Sequence, residues 1–327
     1  MRATMSLIRR EFAAYFTGPV GYVALFAFLF LNGLLFWLVV GLLTERGPRG
    51  VEYPMQVMLG GADSPPGALV AGVLFWGLFP AVTGIITSRL IAEERGTGTL
   101  ESLLTAPVRD WQVVLAKFVA CFGFYLVLWA TTLVYVPVLA DWKVEWPGAV
   151  TPFAVAMLAG AAVVLLAALG FWFDLSGWLV LLLGVVGLAL AVGGGYLHAV
   201  KDERHLVHIA AGIDPRPVFT SYLGVVLAGA MFLAVGLLVS SWVKSQLVAW
   251  MLSLLLGLGF VLPALLRWQI DSGSPLYPFV YYVSVPEHFR RDFTRGVIDT
   301  RPLVLYASVT LCCLYLTVRS LEARRLR

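Results

Sequence analysis

The strongest constraint on this chain is a series of apolar runs, each close to the length that crosses a lipid bilayer. A hydrocarbon core of about 30 Å takes roughly 20 apolar residues as helix, and only a helix or a closed barrel satisfies its own backbone there. Six such runs are clear: Pro19–Leu43, Ala68–Ser88, Val113–Ala140, Val218–Ser240, Leu247–Leu266 and Pro302–Val318. A further apolar stretch, Val150–Ala199, is broken once at Phe173-Asp174-Leu175-Ser176-Gly177. As one helix of some 50 residues it would be about 75 Å long, far beyond a bilayer. Asp174, Ser176 and Gly177 supply turn chemistry, which divides it into two more spans or a re-entrant hairpin. The expected fold class is an all-α polytopic membrane protein with about eight spans. Composition agrees, because 60% of residues are hydrophobic and only 13% charged, against about 45–50% and 25% in soluble domains. The first run is longer than a signal-peptide core of about 7–15 residues, and no small-residue cleavage site follows it.

An even number of spans places both termini on one side. Lys and Arg then divide twelve to eleven between the two sides, so the total does not orient the chain. The positive-inside rule weights short segments near span ends, and there the head "LIRRE" and the tail "RSLEARRLR" favour cytoplasmic termini. The basic balance, pI about 9.0, points to anionic lipid. No basic run with interleaved aromatics is present to line a nucleic-acid groove.

Several chemistries lack their residues. The six clear spans carry almost no ionisable side chains; Lys117, about two turns into its helix, is expected to snorkel to the interface, and Asp174 sits in a turn. A proton-coupled secondary transporter would place such groups near the midplane, so it stands only as the alternative reading, with a channel. There is no G-x-x-x-x-G-K-[ST], and Gly96-Thr97-Gly98 follows a membrane span instead of a strand, so the chain is not expected to bind ATP itself. H-E-x-x-H and G-x-S-x-G are absent as well. Cys121, Cys312 and Cys313 lie in apolar runs and suggest neither disulfide nor metal. In "HAVKDERHLVH", His198, Asp202 and His205 would share a helical face. That segment reads as a charged outer loop, where a hydrated helix needs no metal and no further ligand is evident.

Two flanking segments have helical patterns. Near the start, Met5, Ile8, Phe12, Tyr15 and Phe16 recur on one face, with Arg2, Ser6, Arg9 and Glu11 off it. Such a helix lies in the membrane interface with arginines toward headgroups, or packs on its own protein. The interface contacts expected of it are Ile8, Arg9, Arg10 and Phe12. Between the last two spans, "SVPEHFRRDFTRG" reads as a capped amphipathic helix at the surface. Ser284 and Glu287 have capping-box spacing, Gly296 suits the stop, Val285, Phe289 and Phe293 share a face, and Arg290, Arg291 and Asp292 face away.

The stretch "SRLIAEERGTGTLESLLTAPVRDW", Ser88–Trp111, is a charged island between two spans. Arg89, Glu93, Glu94 and Arg95 continue the second span past the membrane, Gly96 and Gly98 break it, and Asp110 can cap the next span. Thr99–Thr105 makes a short helix with Leu100, Leu103 and Leu104 on one face, stopped before Pro107. Those leucines either dock into a cytosolic groove or pack beneath the bundle.

The string "RLIAEERGTGTLESLLTAPVRDWQVVLAKF" resembles the signature of the type-2 ATP-binding-cassette (ABC) transporter permeases. Its likeness is greatest to the subfamily of gliding-motility-associated and copper-enzyme-maturation permeases. "LIRREFAAYFTGPVGYVAL", "FLAVGLLVSSWVKSQLVAW" and "FRRDFTRGVIDTRPLVLYASVT" agree, so the likeness covers most of the chain. It implies a permease half in the cytoplasmic (inner) membrane, with cytoplasmic termini, paired with a second copy or a paralogous permease. Separate cytosolic ABC ATPase subunits would hold ATP and Mg2+, and this chain would carry no cofactor and no catalytic residue. By the resemblance, the loop after the second span is the coupling helix, contacting the ATPase through Glu93, Glu94, Arg95, Gly98, Leu100, Glu101, Leu104 and Pro107. Tyr277–Gly296 corresponds to extracellular gate helices, with Tyr277, Val285, Phe289 and Phe293 as gate residues. Such permeases have six spans, which makes 142–212 a two-helix insertion with an outer loop.

Overall fold

The computed structural model describes residues 2–17, 19–46, 59, 66–99, 109–133, 215–266 and 274–325. Every element among them is helical. An entry helix α1 (Arg2–Thr17) precedes α2 (Pro19–Arg46), α3 (Pro66–Thr97) and α4 (Asp110–Thr132). After it come α5 (Pro215–Trp242), α6 (Gln246–Val261), α7 (Pro263–Leu266), α8 (Tyr277–Val283), α9 (Val285–Arg291), a 3-10 turn (Phe293–Arg295) and α10 (Thr300–Arg325). Five stretches are long and apolar enough to cross a membrane: Phe75–Thr97, Asp110–Thr132, Arg216–Trp242, Gln246–Leu266 and Thr300–Arg324. α2 holds 28 residues, about 42 Å at 1.5 Å per residue. The inserted hairpin expected over 142–212, with His198, Asp202 and His205, lies outside the described residues.

The chain divides into two compact units, Met1–Tyr125 with Arg216–Arg327, and Leu126–Pro215. In the first, α5 is the central helix, with 78% of its most apolar window buried, against 17% for the α6 span and 22% for α10. Lipid is as apolar as leucine, so helices must gain contact by close approach, which small residues permit. A Cβ on Gly229 of α5 would lie 2.2 Å from the Tyr125 ring of α4, and the Tyr125 hydroxyl donates to the Val225 carbonyl at 2.8 Å. Ala249, Ser253, Gly257 and Val261, four apart, form the buried face of α6, which packs along α3 and leaves Leu247, Met251 and Leu255 exposed. Ala234, Val235, Leu238 and Cys313 join α5 to α10. The second unit's described part is the end of α4, where Thr131 and Thr132 donate back to the Leu128 and Trp129 carbonyls.

These contacts fix the helix directions. Tyr125 meets Val225, while Ser240 at the other end of α5 meets Ser88 of α3. Ser320 and Arg324 of α10 also reach Ser241. The end of α3, the start of α4, the α5–α6 turn, the end of α10 and α1 therefore share one end of the bundle, hereafter the α1 end. The helices α8 and α9 lie at the opposite, far end, where Phe289 packs on Trp76 with ring centroids 4.8 Å apart.

Candidate functional site

The site is built where α3 leaves the bundle at the α1 end. Thr83 and Thr87 return their hydroxyls to the Phe79 and Thr83 carbonyls, so these polar groups cost little inside an apolar span. A Cβ on Gly236 of α5 would fall 2.1 Å from Thr87 Oγ1, which brings the α5 backbone against α3. One turn on, the Ser240 hydroxyl enters the α3 backbone. It accepts from the Ile91 and Ala92 amides at 3.1 and 3.0 Å and donates to the Ser88 carbonyl at 3.1 Å. A side chain in the i→i−4 ladder is a recognised cause of helix bending. Arg95 then donates to the Ser241 and Val243 carbonyls at 3.0 and 2.9 Å, orphan acceptors at the C-terminus of α5. The α3 end is thereby fixed to α5 along one side.

On its other side it is held by charge. Lys117 of α4 is 1% exposed, and its ammonium donates to Glu94 Oε1 at 2.7 Å and to Glu11 Oε2 of α1 at 3.1 Å. Arg10 pairs with the other oxygen of Glu11 at 2.7 Å. Burial raises the Glu11 pKa, but Lys117 and Arg10 outweigh it and hold the carboxyl below its ordinary value. Glu94 Oε2 is buried with no hydrogen-bond partner. Tyr15 adds a second tie between α1 and α3, donating to the Ile86 carbonyl at 2.9 Å, with its ring stacked on Phe124 of α4 at 4.6 Å. A cleft of about 540 Å3 opens beside these groups, lined by Arg10, Glu11, Tyr15, Arg89, Glu94 and Lys117 among others. Removing one partner of a buried pair strands the other charge, and this link joins α1, α3 and α4.

Three sequence expectations change here. Lys117 does not snorkel: Glu11 and Glu94 neutralise it inside the protein. Glu11 is not on a wet face of α1, because it is buried beside Leu7 and Tyr15, while Met5 is 65% exposed. The packed face of α1 therefore runs through Leu7, Glu11 and Tyr15, and Phe12 reaches the backbone at Gly123 of α4. Gly96 does not break α3, which continues to Thr97; a Cβ there would lie 3.1 Å from the Lys244 carbonyl. Gly98, at φ +76°, is the residue that leaves the helix, a conformation glycine adopts without Cβ strain. Asp110 is the first residue of α4, where a carboxylate suits the helix dipole.

Of the expected coupling residues, Glu93, Glu94, Arg95 and Gly98 come together at this end. Glu93 is exposed and lies 3.6 Å from Arg89. Leu100, Glu101, Leu104 and Pro107 lie outside the described residues. Arg9 and Arg10 are exposed on α1, and Ile8 is half-buried. Sequence reasoning missed Glu11 and Ser240. The signals were an ionisable side chain within an apolar span, which demands a partner, and a serine one turn from the end of α5.

The far end differs more from expectation. Ser284–Phe289 are all buried, so α9 is sunk into the bundle mouth instead of lying on the surface. Ser284 starts the helix, but its hydroxyl caps nothing. Glu287 pairs instead with Arg290 and Arg291, at 3.0 Å to Arg290 Nε and 3.3 Å to Arg291 Nε, so no capping box forms and these arginines do not simply face away. Val285, Phe289 and Phe293 are fully buried; a Cβ on Gly224 of α5 would be 2.8 Å from both phenylalanine rings. Gly296 ends the segment at φ +80°. Tyr277 is half-buried, with Arg291 over its ring and over that of Tyr281. His288 Nδ1 lies 3.0 Å from the Tyr306 hydroxyl, and burial lowers its pKa to about 4.

The α1 end thus carries charged links among α1, α3 and α4, and the far end an apolar cluster of Val285, Phe289 and Phe293 against α5. Residues 18–192 match the model of the ABC-2 family transporter proteins, more than half of the chain. The chain belongs to that family. No curated protein sequence matches it significantly. The chain is a multi-pass membrane permease whose described elements are all helical. The match spans α2, α3, the island after it and α4, so the α3 end described above lies within the family-defining region.

Proposed function

We propose that this chain is the membrane-spanning subunit of an ATP-driven exporter or extraction machine, powered by separate cytosolic ABC ATPase subunits and paired with a second permease. The observation that supports this reading is the α3 end, a segment fixed to α5 through Ser240 and Arg95, to α4 through Glu94 and Lys117, and to α1 through Tyr15 and the Lys117–Glu11 pair. A pull applied beyond Gly98 would reach three helices at once. The α1 end faces the cytoplasm in this reading, which places Arg9, Arg10, Arg319 and Arg324 inside, as the positive-inside rule prefers. ATP binding would close the ATPase domains and drag the Leu100/Leu104 segment. That would tilt α3 and open the far mouth, now plugged by Val285, Phe289 and Phe293. Reversing a 1:99 equilibrium takes about 5.5 kcal/mol of differential binding, within reach of several aligned contacts at two docking segments.

The test is Leu104→Asp and Glu94→Ala in the full chain. Both variants should insert into the membrane at normal levels. Leu104→Asp should lose capture of the ATPase subunit, and Glu94→Ala should lose transport. Normal capture and transport by Leu104→Asp would overturn the reading.

A further inference from the structure

Lys117 is shared by two carboxylates on two different helices, and the sharing is unequal. Glu11 is held from both sides, by Lys117 at 3.1 Å and Arg10 at 2.7 Å, and α1 is tied to α3 again through Tyr15. Glu94 has Lys117 alone at 2.7 Å, and its second oxygen is buried without a partner. The opposite side of the α3 end is anchored to α5 by Ser240 and Arg95. From this geometry we infer that Lys117 is the positioning residue of a release switch, with Glu94 as the partner that leaves and Glu11 as the one that stays. A buried lysine with one partner could not release it without stranding an unpaired charge, a large penalty. With Glu11 in place, Lys117 remains neutralised while Glu94 swings out, and α3 pivots on its Ser240 and Arg95 attachment. Glu94 departs toward the cleft that already lies beside it, where water satisfies both of its oxygens.

The switch makes two conservative changes on one ammonium act in opposite directions. Glu94→Gln weakens only the docked state and should shift the equilibrium toward release. Glu11→Gln leaves Lys117 dependent on Glu94 and should lock the docked state. Each shift should be about tenfold or more. The measurement is the distance between spin labels at Met5→Cys on α1 and Thr97→Cys on α3, both exposed sites, in the full chain purified with its ATPase in membranes. In the parent pair, ATP should convert a short-distance population into a longer one. Glu94→Gln should show the longer population without ATP, and Glu11→Gln should keep the short one with ATP. Lys117→Arg should behave as the parent. Should Glu11→Gln fail to fold, Glu11→Asp, which keeps the charge but shortens its reach to Lys117, should shift the populations in the same direction.

Equal shifts in one direction, or none, would overturn the inference and leave the link as a static brace. The inference rests on the proposed ATP-driven function, but the two fail separately. If ATP moves nothing in the parent, the driven reading fails, while a longer population in Glu94→Gln and none in Glu11→Gln, both without ATP, would still support the switch.

Discussion

Gly229 and Phe289 show how finely single residues set this bundle. The Tyr125 ring occupies the place of a Gly229 side chain, and its hydroxyl is committed to Val225, so the ring cannot move aside without losing that bond. Gly229→Val should destabilise the protein by about 1–3 kcal/mol, read as a lower melting temperature in detergent. Phe289 fills the far mouth against Trp76 and Phe293; Phe289→Ala should cost about 3–5 kcal/mol, a larger drop in the same assay. A basal leak that accompanies the Phe289 change and not the Gly229 change would mark the far mouth as the seal.

His288 sets a pH dependence at the same place. Burial favours its neutral form and lowers its pKa from 6.5 to about 4, outweighing the Tyr281 backbone and the Glu287 charge, which pull the other way; Tyr281 and Tyr306 pack on its ring. Between those two values the unfolded chain binds the proton more readily than the folded one. The site's contribution to stability is therefore complete above pH 6.5 and falls as pH drops toward 4. Melting curves from pH 7.5 to 4 should show that loss, and His288→Gln should flatten the slope across that window. An unchanged slope in His288→Gln would contradict the assignment.

At the scale of elements, hydropathy located the five spans among the described residues because lipid sets their length and permits only helix. It did not locate partners. On α1 the periodic apolar residues pointed to Met5, whereas the packed face turns about Glu11, since Lys117 makes burial of a carboxylate favourable there. One residue in an apolar run cannot say whether its charge reaches water or a carboxylate more than 100 positions away. Likewise Ser284 and Glu287 have the spacing of a capping box, but Arg290 and Arg291 compete for the same carboxylate and win by charge. Gly96 and Gly98 look alike in sequence; the Lys244 carbonyl distinguishes them by taking the space beside Gly96. The resemblance singled out Glu93, Glu94 and Arg95, but the contacts of Arg95 with Ser241 and of Glu94 with Lys117 were not legible, because they join distant segments.

In the larger unit, the central helix α5 touches both the α1 end and the far end, the driven and the sealed end of the proposed function. Ser240 and Arg95 hold the driven end to α5, and Gly224 receives Phe289 and Phe293 at the sealed one. In the proposed function the energy comes from a separate ABC ATPase subunit. The most direct test of the proposed function is reconstitution of the purified chain into liposomes with and without a candidate ABC ATPase subunit. ATP hydrolysis and ATP-dependent flux should require both subunits, and the chain alone should show neither. Sustained flux through liposomes containing this chain alone would contradict the account.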